Sequence, residues 1–355
     1  MVYNIAFPPD YTGGIRTFKA HFANFPEYNL FSIDKESYVI KGLVENSDEG
    51  HSQNGRMIHN LQIGRYCSIA EDVYFLIGRG KNYKRVSTSN AKVLHTAPSV
   101  KKNHREKGSI IIENDVWIGR KVSIMSGVTV HNGAIIAANS HVVKDVPPYA
   151  IVGGNPARII GYRFAQEIID QLQIIQWWYW SDDKIQENAA YFNDDIETFC
   201  KKFYLEAKEN FEKKYGEPVE PERDKYFMAV DYNDHYSVLE SVLDEFICNY
   251  YNDSQKEIVL FVFSEEAGER YLEELTGIIN DITAESHMKA SIHVKGGGMS
   301  EAKECLASAN HLIINRMPCT VELMCFAEMF GGKIEVLSGV DSIIFAENAD
   351  ERRKE

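Results

Sequence analysis

The sequence lacks the features that would place it in a membrane, outside the cell or on nucleic acid. No run of residues approaches the roughly 18 consecutive apolar residues of a membrane span. The N-terminal stretch, MVYNIAFPPDYTGG, contains neither the basic nor the apolar segment of a secretion signal. The 38 Lys and Arg are outnumbered by 52 Asp and Glu, and a net charge of −14 argues against binding to a phosphate backbone. These absences predict a cytoplasmic protein with no nucleic-acid partner.

Cysteine is scarce, and its spacing excludes the common cysteine-based sites. None of the six cysteines forms the CxxC spacing of a zinc site or a redox motif. They lie far apart in the chain, at Cys67, Cys200, Cys248, Cys305, Cys319 and Cys325. We therefore expect reduced, mostly buried thiols and no metal site.

What the sequence does contain is a strict six-residue repeat. An aliphatic residue recurs at every sixth position, at Ile118, Ile124, Val130, Ile136 and Val142. A helix repeats near 3.6 residues and a strand at 2, so this period indicates a solenoid in which each unit supplies one short strand and one corner. The aliphatic residue should point inward. We expect the small residue two positions before it to lie at the corner, at Val116, Val122, Val128, Ala134 and Ser140.

Composition divides the 355 residues into a solenoid, a helical extension and a second domain. We predict a β-helix domain over 1–161, interrupted by a polar insertion at 75–109. A helical extension over 162–215 follows, whose tryptophans, at 177, 178 and 180, are expected to form packing contacts. A linker at 216–225 leads to a small α/β domain over 226–355.

The last segment alternates short strands with helices, which is typical of a parallel-sheet, Rossmann-like α/β domain. We expect helices to begin after the N-cap residues Ser264, Ser300 and Thr320, and the last helix to stop at Gly331 and Gly332. Four strands are predicted, at 257–263, 290–294, 311–315 and 333–338.

Several motifs occur together in a fixed order. DVWIG at 115–119 is followed by the hexapeptides, by KDVPPYA at 144–150, by GGNPARII at 153–160 and by Trp177-Trp178. Over about residues 55 to 190 the chain resembles the left-handed β-helix acetyltransferases of the xenobiotic and polysaccharide O-acetyltransferase type. The resemblance implies a left-handed coil, acetyl transfer from acetyl-CoA to a hydroxyl or amine without a metal, and a homotrimer with its active sites between neighbouring prisms.

The resemblance also implies which residues contact acetyl-CoA. Trp117 corresponds to the residue beside the thiol end of the cofactor. Small side chains leave room for the pantetheine arm at Gly119, Ala137 and Ala138. The nucleotide end is expected at Lys144, Asn155 and Arg158, since CoA carries phosphates. The alternative for these residues is a surface tryptophan, small corner residues and solvated charges.

The catalytic base is the point at which the sequence departs from the family. In the family a histidine on the inserted loop is the base, yet GRGKNYKRVST at 78–88 contains none. His95 lies 22 residues before Trp117, a spacing comparable to that of the galactoside and maltose acetyltransferase branch. We take His95 as the candidate base and His104 as the next. His131 and His141 are expected to be surface residues, and loss of the base remains a third possibility.

The α/β domain bears a fainter likeness to one half of the two-domain glycosyltransferases that use sugar nucleotides. The alternative is a module for assembly or docking. Three functions therefore remain open: O-acetylation of a sugar in a surface polysaccharide or its precursor, acetylation of a xenobiotic such as chloramphenicol or a streptogramin, and a CoA-binding or assembly scaffold without catalysis.

Overall fold

The structure is a computed structural model, and it describes most of the chain. The described residues are 2–8, 14–20, 27–46, 58–78, 80–81, 86–87, 89, 104–105, 108–193, 195–216, 223–264, 268–341 and 344–345. Within these ranges no helix has both the length and the apolar character needed to cross a membrane.

The predicted solenoid is confirmed as a three-sided parallel β-helix, which we call the prism. Its strands and the flanking hairpins are β1 Val2–Phe7, β2 Arg16–Ala20, β3 Tyr28–Ile33, β4 Tyr38–Asn46, β5 Leu61–Ile63, β6 Ser68–Ile77, β7 Gly80–Lys81, β8 His104–Arg105, β9 Ile110–Ile112, β10 Trp117–Ile118, β11 Ser123–Met125, β12 Thr129–Val130, β13 Ile135–Ile136, β14 His141–Val142, β15 Ala150–Gly154 and β16 Ala157–Tyr162.

Parallel pairing stacks these strands into three faces. The first face contains β3, β5, β9 and β12. The second contains the start of β6 with β10, β13 and β15. The third contains the end of β6 with β11 and β14. Strand β6 bends from the second face into the third, since its start pairs with β10 and its end with β11. Strand β4 pairs with β6 from Tyr38 to Asn46 and follows the same bend.

The aliphatic residues of the repeat point inward as predicted, and all five are at most 2% exposed. The small residues expected at the corners are also buried inside the prism, so this prediction was wrong by one position. The corner is formed by the preceding residue, which adopts a positive φ at Asp115, Lys121, Gly127, Gly133 and Asn139. A left-handed conformation at this position turns the chain and sends the following small side chain inward.

A helical extension follows the hairpin formed by β15 and β16. It comprises α1 Gln166–Ile175, a 3₁₀ turn Trp177–Tyr179, α2 Asp182–Glu187, a 3₁₀ turn Ala189–Asn193 and α3 Ile196–Tyr215. Trp178 is fully buried among Leu172, Phe199 and Phe203. The prediction that the tryptophans pack in a core is confirmed for Trp178.

The final segment is the predicted parallel-sheet α/β domain. Its strands are β17 Asp224–Ala229, β18 Lys256–Phe263, β19 Ser291–Gly297, β20 His311–Ile314 and β21 Glu335–Ser338, in the order β19-β18-β17-β20-β21. Its helices are α4 Leu239–Tyr250, α5 Glu269–Ser286, α6 Met299–Ala307 and α7 Thr320–Glu328. The central strand β17 and helix α4 were not predicted.

Ser300 and Thr320 lie two and one residues after the observed N-caps, so these two predicted starts were slightly late, whereas Ser264 is itself helical and lies five residues before α5 begins. Gly268, Gly298 and Cys319 occupy the N-cap positions of α5, α6 and α7. At α6 the Glu301 side chain accepts the Gly298 N–H at 3.0 Å, which supplies the capping interaction without a hydroxyl. The chain does turn at Gly331 and Gly332, both with positive φ, as expected after the last helix.

The α/β domain packs on the first face of the prism. Ile111 projects from β9 and is buried in the same apolar cluster as Phe227 and Met317. The Gln62 side chain donates to the Asn315 carbonyl at 2.8 Å. Arg316 donates to the Ile58 carbonyl at 2.9 Å. The first face is therefore an interface between two parts of the same chain.

Candidate active site

The second face of the prism presents a large apolar side chain to solvent. Trp117 lies on β10 and is 56% exposed. Beside it is a cavity of about 170 Å³ lined by Tyr66, Ser68, Asp115, Val116, Trp117, Ile135 and Arg163. An exposed tryptophan next to a polar cavity is a common arrangement in a ligand site.

Polar groups line one side of this cavity. Arg163 donates from Nη1 to the Asp115 carboxylate and to the Gly133 carbonyl, each at 2.8 Å. Burial raises the pKa of Asp115, and the ion pair with Arg163 acts in the opposite direction. Burial also raises the pKa of Tyr66 to about 12, so its hydroxyl keeps its proton at neutral pH. The cavity therefore offers a carboxylate, a guanidinium and a phenol to polar groups of a ligand.

A path of small residues runs along the prism from Trp117. The Gly119 N–H donates to the Ile136 carbonyl at 2.8 Å, and the Ala137 N–H donates to the Val152 carbonyl at 2.9 Å. Gly119, Ala137 and Gly153 therefore lie side by side in successive coils. A Cβ atom at Gly119 would lie 2.7 Å from the Ala138 backbone nitrogen, so only glycine fits there. Ala138 is exposed and leaves the path open to solvent.

The residues expected at the nucleotide end lie at two different places. Asn155 and Arg158 are exposed on the β15–β16 hairpin, next to the path of small residues. Lys144 is exposed after β14, between the third face and Val146, which pairs with Val130 of the first face. Within one chain Lys144 is therefore at another corner of the prism from Gly119 and Ala137.

The structure describes some of the candidate histidines and not others. His95 lies outside the described residues. The backbone of His104 is placed in β8, opposite Lys81. His141 is half-buried on the third face. The prediction that His131 is a surface residue was wrong, because its side chain contacts the carboxylates of Glu113 and Glu328 at the interface with the α/β domain.

The carboxyl edge of the α/β sheet is the second place where a ligand could be expected, between β17 and β20, where the strand order reverses. This edge is filled by Arg316, whose side chain is fully buried. It pairs with Asp234 at 2.6 Å and donates to the Tyr236 carbonyl. The described residues thus use this edge for contacts within the chain.

Comparison with known proteins agrees with the motifs. A family model described as bacterial transferase hexapeptide (six repeats) matches residues 109–144. A probable macrolide acetyltransferase of Lysinibacillus sphaericus is 43% identical over 135 residues, which cover 36% of this chain and 74% of that protein. A chloramphenicol acetyltransferase of Klebsiella aerogenes is 39% identical over 134 residues, covering 36% of this chain and 64% of that protein.

Two further acetyltransferases are also similar to part of this chain. A virginiamycin A acetyltransferase of Staphylococcus aureus is 41% identical over 148 residues, covering 40% of this chain and 67% of that protein. A solved structure of a galactoside acetyltransferase in complex with coenzyme A is 28% identical, covers 35% of this chain and 51% of that chain, and has a TM-score of 0.24. In each of these four comparisons most of this chain lies outside the match.

Proposed function

The chain belongs to the hexapeptide-repeat acetyltransferase family, and from this premise we propose that it transfers the acetyl group of acetyl-CoA to a hydroxyl of a sugar in a surface polysaccharide or its precursor. A left-handed coil and a cytoplasmic location, where acetyl-CoA is available, are part of the proposal. The observation that carries it is the second face, where exposed Trp117 adjoins both a polar cavity and a row of small residues that includes exposed Ala138.

Acetyl transfer requires only a few chemical groups from this site. The acceptor oxygen attacks the thioester carbonyl carbon, its proton passes to a base, and the CoA thiolate leaves from the tetrahedral intermediate. We assign the thiol end to Trp117 and the pantetheine arm to the path of Gly119, Ala137 and Ala138. Asn155 and Arg158 then meet the nucleotide end. Because the thioester is already activated, holding the acceptor in position is the main contribution of the protein.

The proposed base is His95, in the predicted insertion between β6 and β9. The support for it is its place in the insertion and its spacing from Trp117. His104 is the next candidate, since β8 tethers its backbone to the start of the insertion at Lys81.

The polar lining of the cavity supports a carbohydrate acceptor. Asp115, Arg163 and Tyr66 offer acceptor and donor groups of the kind that bind hydroxyls. The names of the relatives favour a second candidate, acetylation of a xenobiotic, because three of them are named for macrolides, chloramphenicol or virginiamycin. A hydroxyl-rich sugar and a drug require different contacts in the same cavity. Identifying the acceptor therefore decides between the two candidate functions.

The proposed assembly is a homotrimer with shared sites. Outside the first face, apolar side chains remain exposed on the prism and its hairpin, at Tyr74, Trp117, Val143, Ile159 and Ile160. Contact with neighbouring prisms would bury this surface. In such an assembly Lys144 of one subunit can serve a groove formed with another, which accounts for its distance from Gly119 within one chain.

An acceptor screen tests the proposal. The purified full chain is mixed with acetyl-CoA and single acceptors, including oligosaccharides, nucleotide sugars, chloramphenicol and virginiamycin. Release of CoA thiol and the mass of the product are then measured. We expect acetylated sugar as the main product. Acetylation of a drug without any sugar product would favour the xenobiotic candidate, and tight CoA binding without transfer to any acceptor would favour the scaffold.

A further inference from the structure

Three side chains from two parts of the chain meet on the first face of the prism. Glu113 follows β9, His131 follows β12 one coil later, and Glu328 ends helix α7 of the α/β domain. The His131 Nδ1 atom lies 3.0 Å from Glu113 Oε1 and 2.9 Å from Glu328 Oε1. One ligand atom from each residue lies within 4.8 Å of the other two.

Hydrogen bonds within the chain leave this cluster incompletely neutralised. One ring nitrogen carries at most one proton, which must be shared between two carboxylates. Glu113 is fully buried, and its second oxygen accepts the Asn132 N–H at 2.8 Å. The second oxygen of Glu328 is buried and has no hydrogen-bond donor among the described residues. When both carboxylates are ionised, they and the one imidazole carry an excess of negative charge that a bound cation would balance, and because burial raises the pKa of Glu113 a proton competes with the cation there.

The internal repeat shows that these residues are not needed for the coil itself. Glu113 and His131 each follow the inward aliphatic residue of their unit. The residues at the same positions on the second face are Gly119 and Ala137, which are small. A buried carboxylate and an imidazole are thus additions to the repeat, and they occur where Glu328 approaches.

We propose that Glu113, His131 and Glu328 bind a divalent transition-metal cation, with Zn²⁺ the best match, that ties helix α7 to the prism. Imidazole nitrogen and carboxylate oxygen bind Zn²⁺ at about 2.0–2.2 Å. Neighbouring ligands on a tetrahedral ion lie about 3.3 Å apart, so the separations of Nδ1 from the two oxygens, 3.0 and 2.9 Å, need to widen only slightly to admit it. The side chains of His131 and Glu328 are 23% and 26% exposed, so water can reach the ion and complete its coordination.

The role of this ion is structural. It joins the two parts of the chain on the first face, whereas the acetyl-transfer groove lies on the second. The inference therefore does not depend on the proposed acetyl transfer, and metal binding can be measured without any acceptor or CoA.

Metal titration of the full chain tests the site. Tag-free protein is stripped with a chelator, dialysed and titrated with ZnCl₂ by calorimetry, and the retained metal is measured by mass spectrometry. We expect one Zn²⁺ per chain. Glu328→Gln keeps the size of the side chain but removes a charged ligand, so the Zn²⁺ affinity should fall by more than about 100-fold.

The matched control is Glu322→Gln on the same helix. Glu322 pairs with Arg65 of the prism at 3.5 Å and with Lys303 at 2.7 Å, so it also contributes charge at this interface but lies outside the cluster. This variant should keep the Zn²⁺ affinity of the wild type. Loss of binding in both variants would mean that general weakening of the interface, not a lost ligand, explains the effect, and would overturn the assignment.

A second measurement on the wild type does not depend on the variants folding. Co²⁺ bound by the cluster should give visible absorption bands that disappear when Zn²⁺ is added. Absence of stoichiometric Zn²⁺ binding, absence of such bands, or an unchanged affinity in a folded Glu328→Gln protein would each overturn the proposal.

Discussion

Ile111 and Trp117 are six residues apart and occupy the same position in successive units of the repeat, but their surroundings are opposite. Both project outward from the prism. Ile111 is 4% exposed because the α/β domain covers it, whereas Trp117 is 56% exposed beside the cavity. The repeat thus specifies the backbone and the interior equally on every face. What each face does is decided by the few outward residues that differ.

The residues after the inward aliphatic position show the same contrast. On the first face they are Glu113 and His131, which contact Glu328 of the α/β domain. On the second face they are Gly119 and Ala137, which form the path beside Trp117. Large charged side chains accompany the face that binds another part of the chain, and small ones accompany the face that is left open for a ligand.

The largest expected effect is on the second face and concerns the base. If His95 accepts the acceptor proton, His95→Ala should lower kcat by about 10²- to 10⁴-fold, because proton transfer acts in the transition state. CoA affinity should change little. Steady-state kinetics on an identified sugar acceptor measures this, with His104→Ala as the comparison. Full activity of the His95 variant would place the base elsewhere.

The next effect concerns the first face. Arg316→Ala removes a buried guanidinium and leaves the carboxylate of Asp234, itself 3% exposed, without its cationic partner. We expect the free energy of unfolding to fall by about 3–5 kcal/mol, as measured by denaturant titration.

The control for this variant is Arg270→Ala. Arg270 pairs with Glu274 on the surface of α5, where its side chain is 90% exposed. Its loss should lower the free energy of unfolding far less than the loss of Arg316 does. Equal effects of the two substitutions would contradict the buried interface described for the first face.

A smaller effect is expected at the nucleotide end of the groove. Arg158→Ala should weaken CoA binding by about 1–3 kcal/mol if the guanidinium pairs with a phosphate. The Arg158 side chain is exposed and donates to the neighbouring Ala157 carbonyl at 2.8 Å, so its removal should leave the fold unchanged. Calorimetry with CoA measures this. An unchanged Kd would mean that Arg158 is a solvated surface charge that does not contact CoA.

The smallest effect lies far from the groove, in the α/β sheet, and depends on pH. Burial acts to raise the pKa of Asp224, but hydrogen bonds from His311 at 2.8 Å and Lys256 at 2.7 Å outweigh it and hold the pKa well below its usual range. The carboxylate therefore stabilises the fold above the pKa of the unfolded chain, about 3.9, and this contribution is lost as pH falls further.

Asp224→Asn should accordingly reduce stability by about 1 kcal/mol at pH 7 and by less as the pH falls below about 4. Urea titrations of the wild type and the variant at a series of pH values measure the difference. A difference that grows on acidification would contradict the sign of the shift. CoA binding should be the same in both proteins.

The sequence was sufficient for the features that repeat or are local. The inward aliphatic residues and four strands of the second sheet follow from short-range patterns. Strand β17 was missed because DKYFMA directly follows a charged, proline-containing stretch that was taken for a linker. The corner was misplaced by one residue because a positive φ at Asp115 or Lys121 has no signal as clear as glycine.

Contacts between distant parts of the chain could not be predicted. The linker predicted at 216–225 gave no sign that the α/β domain would pack on the prism. The structure instead buries Ile111 under that domain and joins Gln62 to Asn315. His131 was taken for a surface residue because its partner Glu328 lies far along the chain. The one available signal was that Glu113 and His131 are large where the second face has Gly119 and Ala137.

Hydrogen exchange with and without CoA tests most directly whether the open second face, and not the edge of the α/β sheet, binds the cofactor. We predict slower exchange at 117–119, 135–138 and 150–158 when CoA is added, with no change at 229–236 and 313–320. Protection confined to the latter two segments, which form the carboxyl edge around Arg316, would place the nucleotide in the α/β domain and contradict the account.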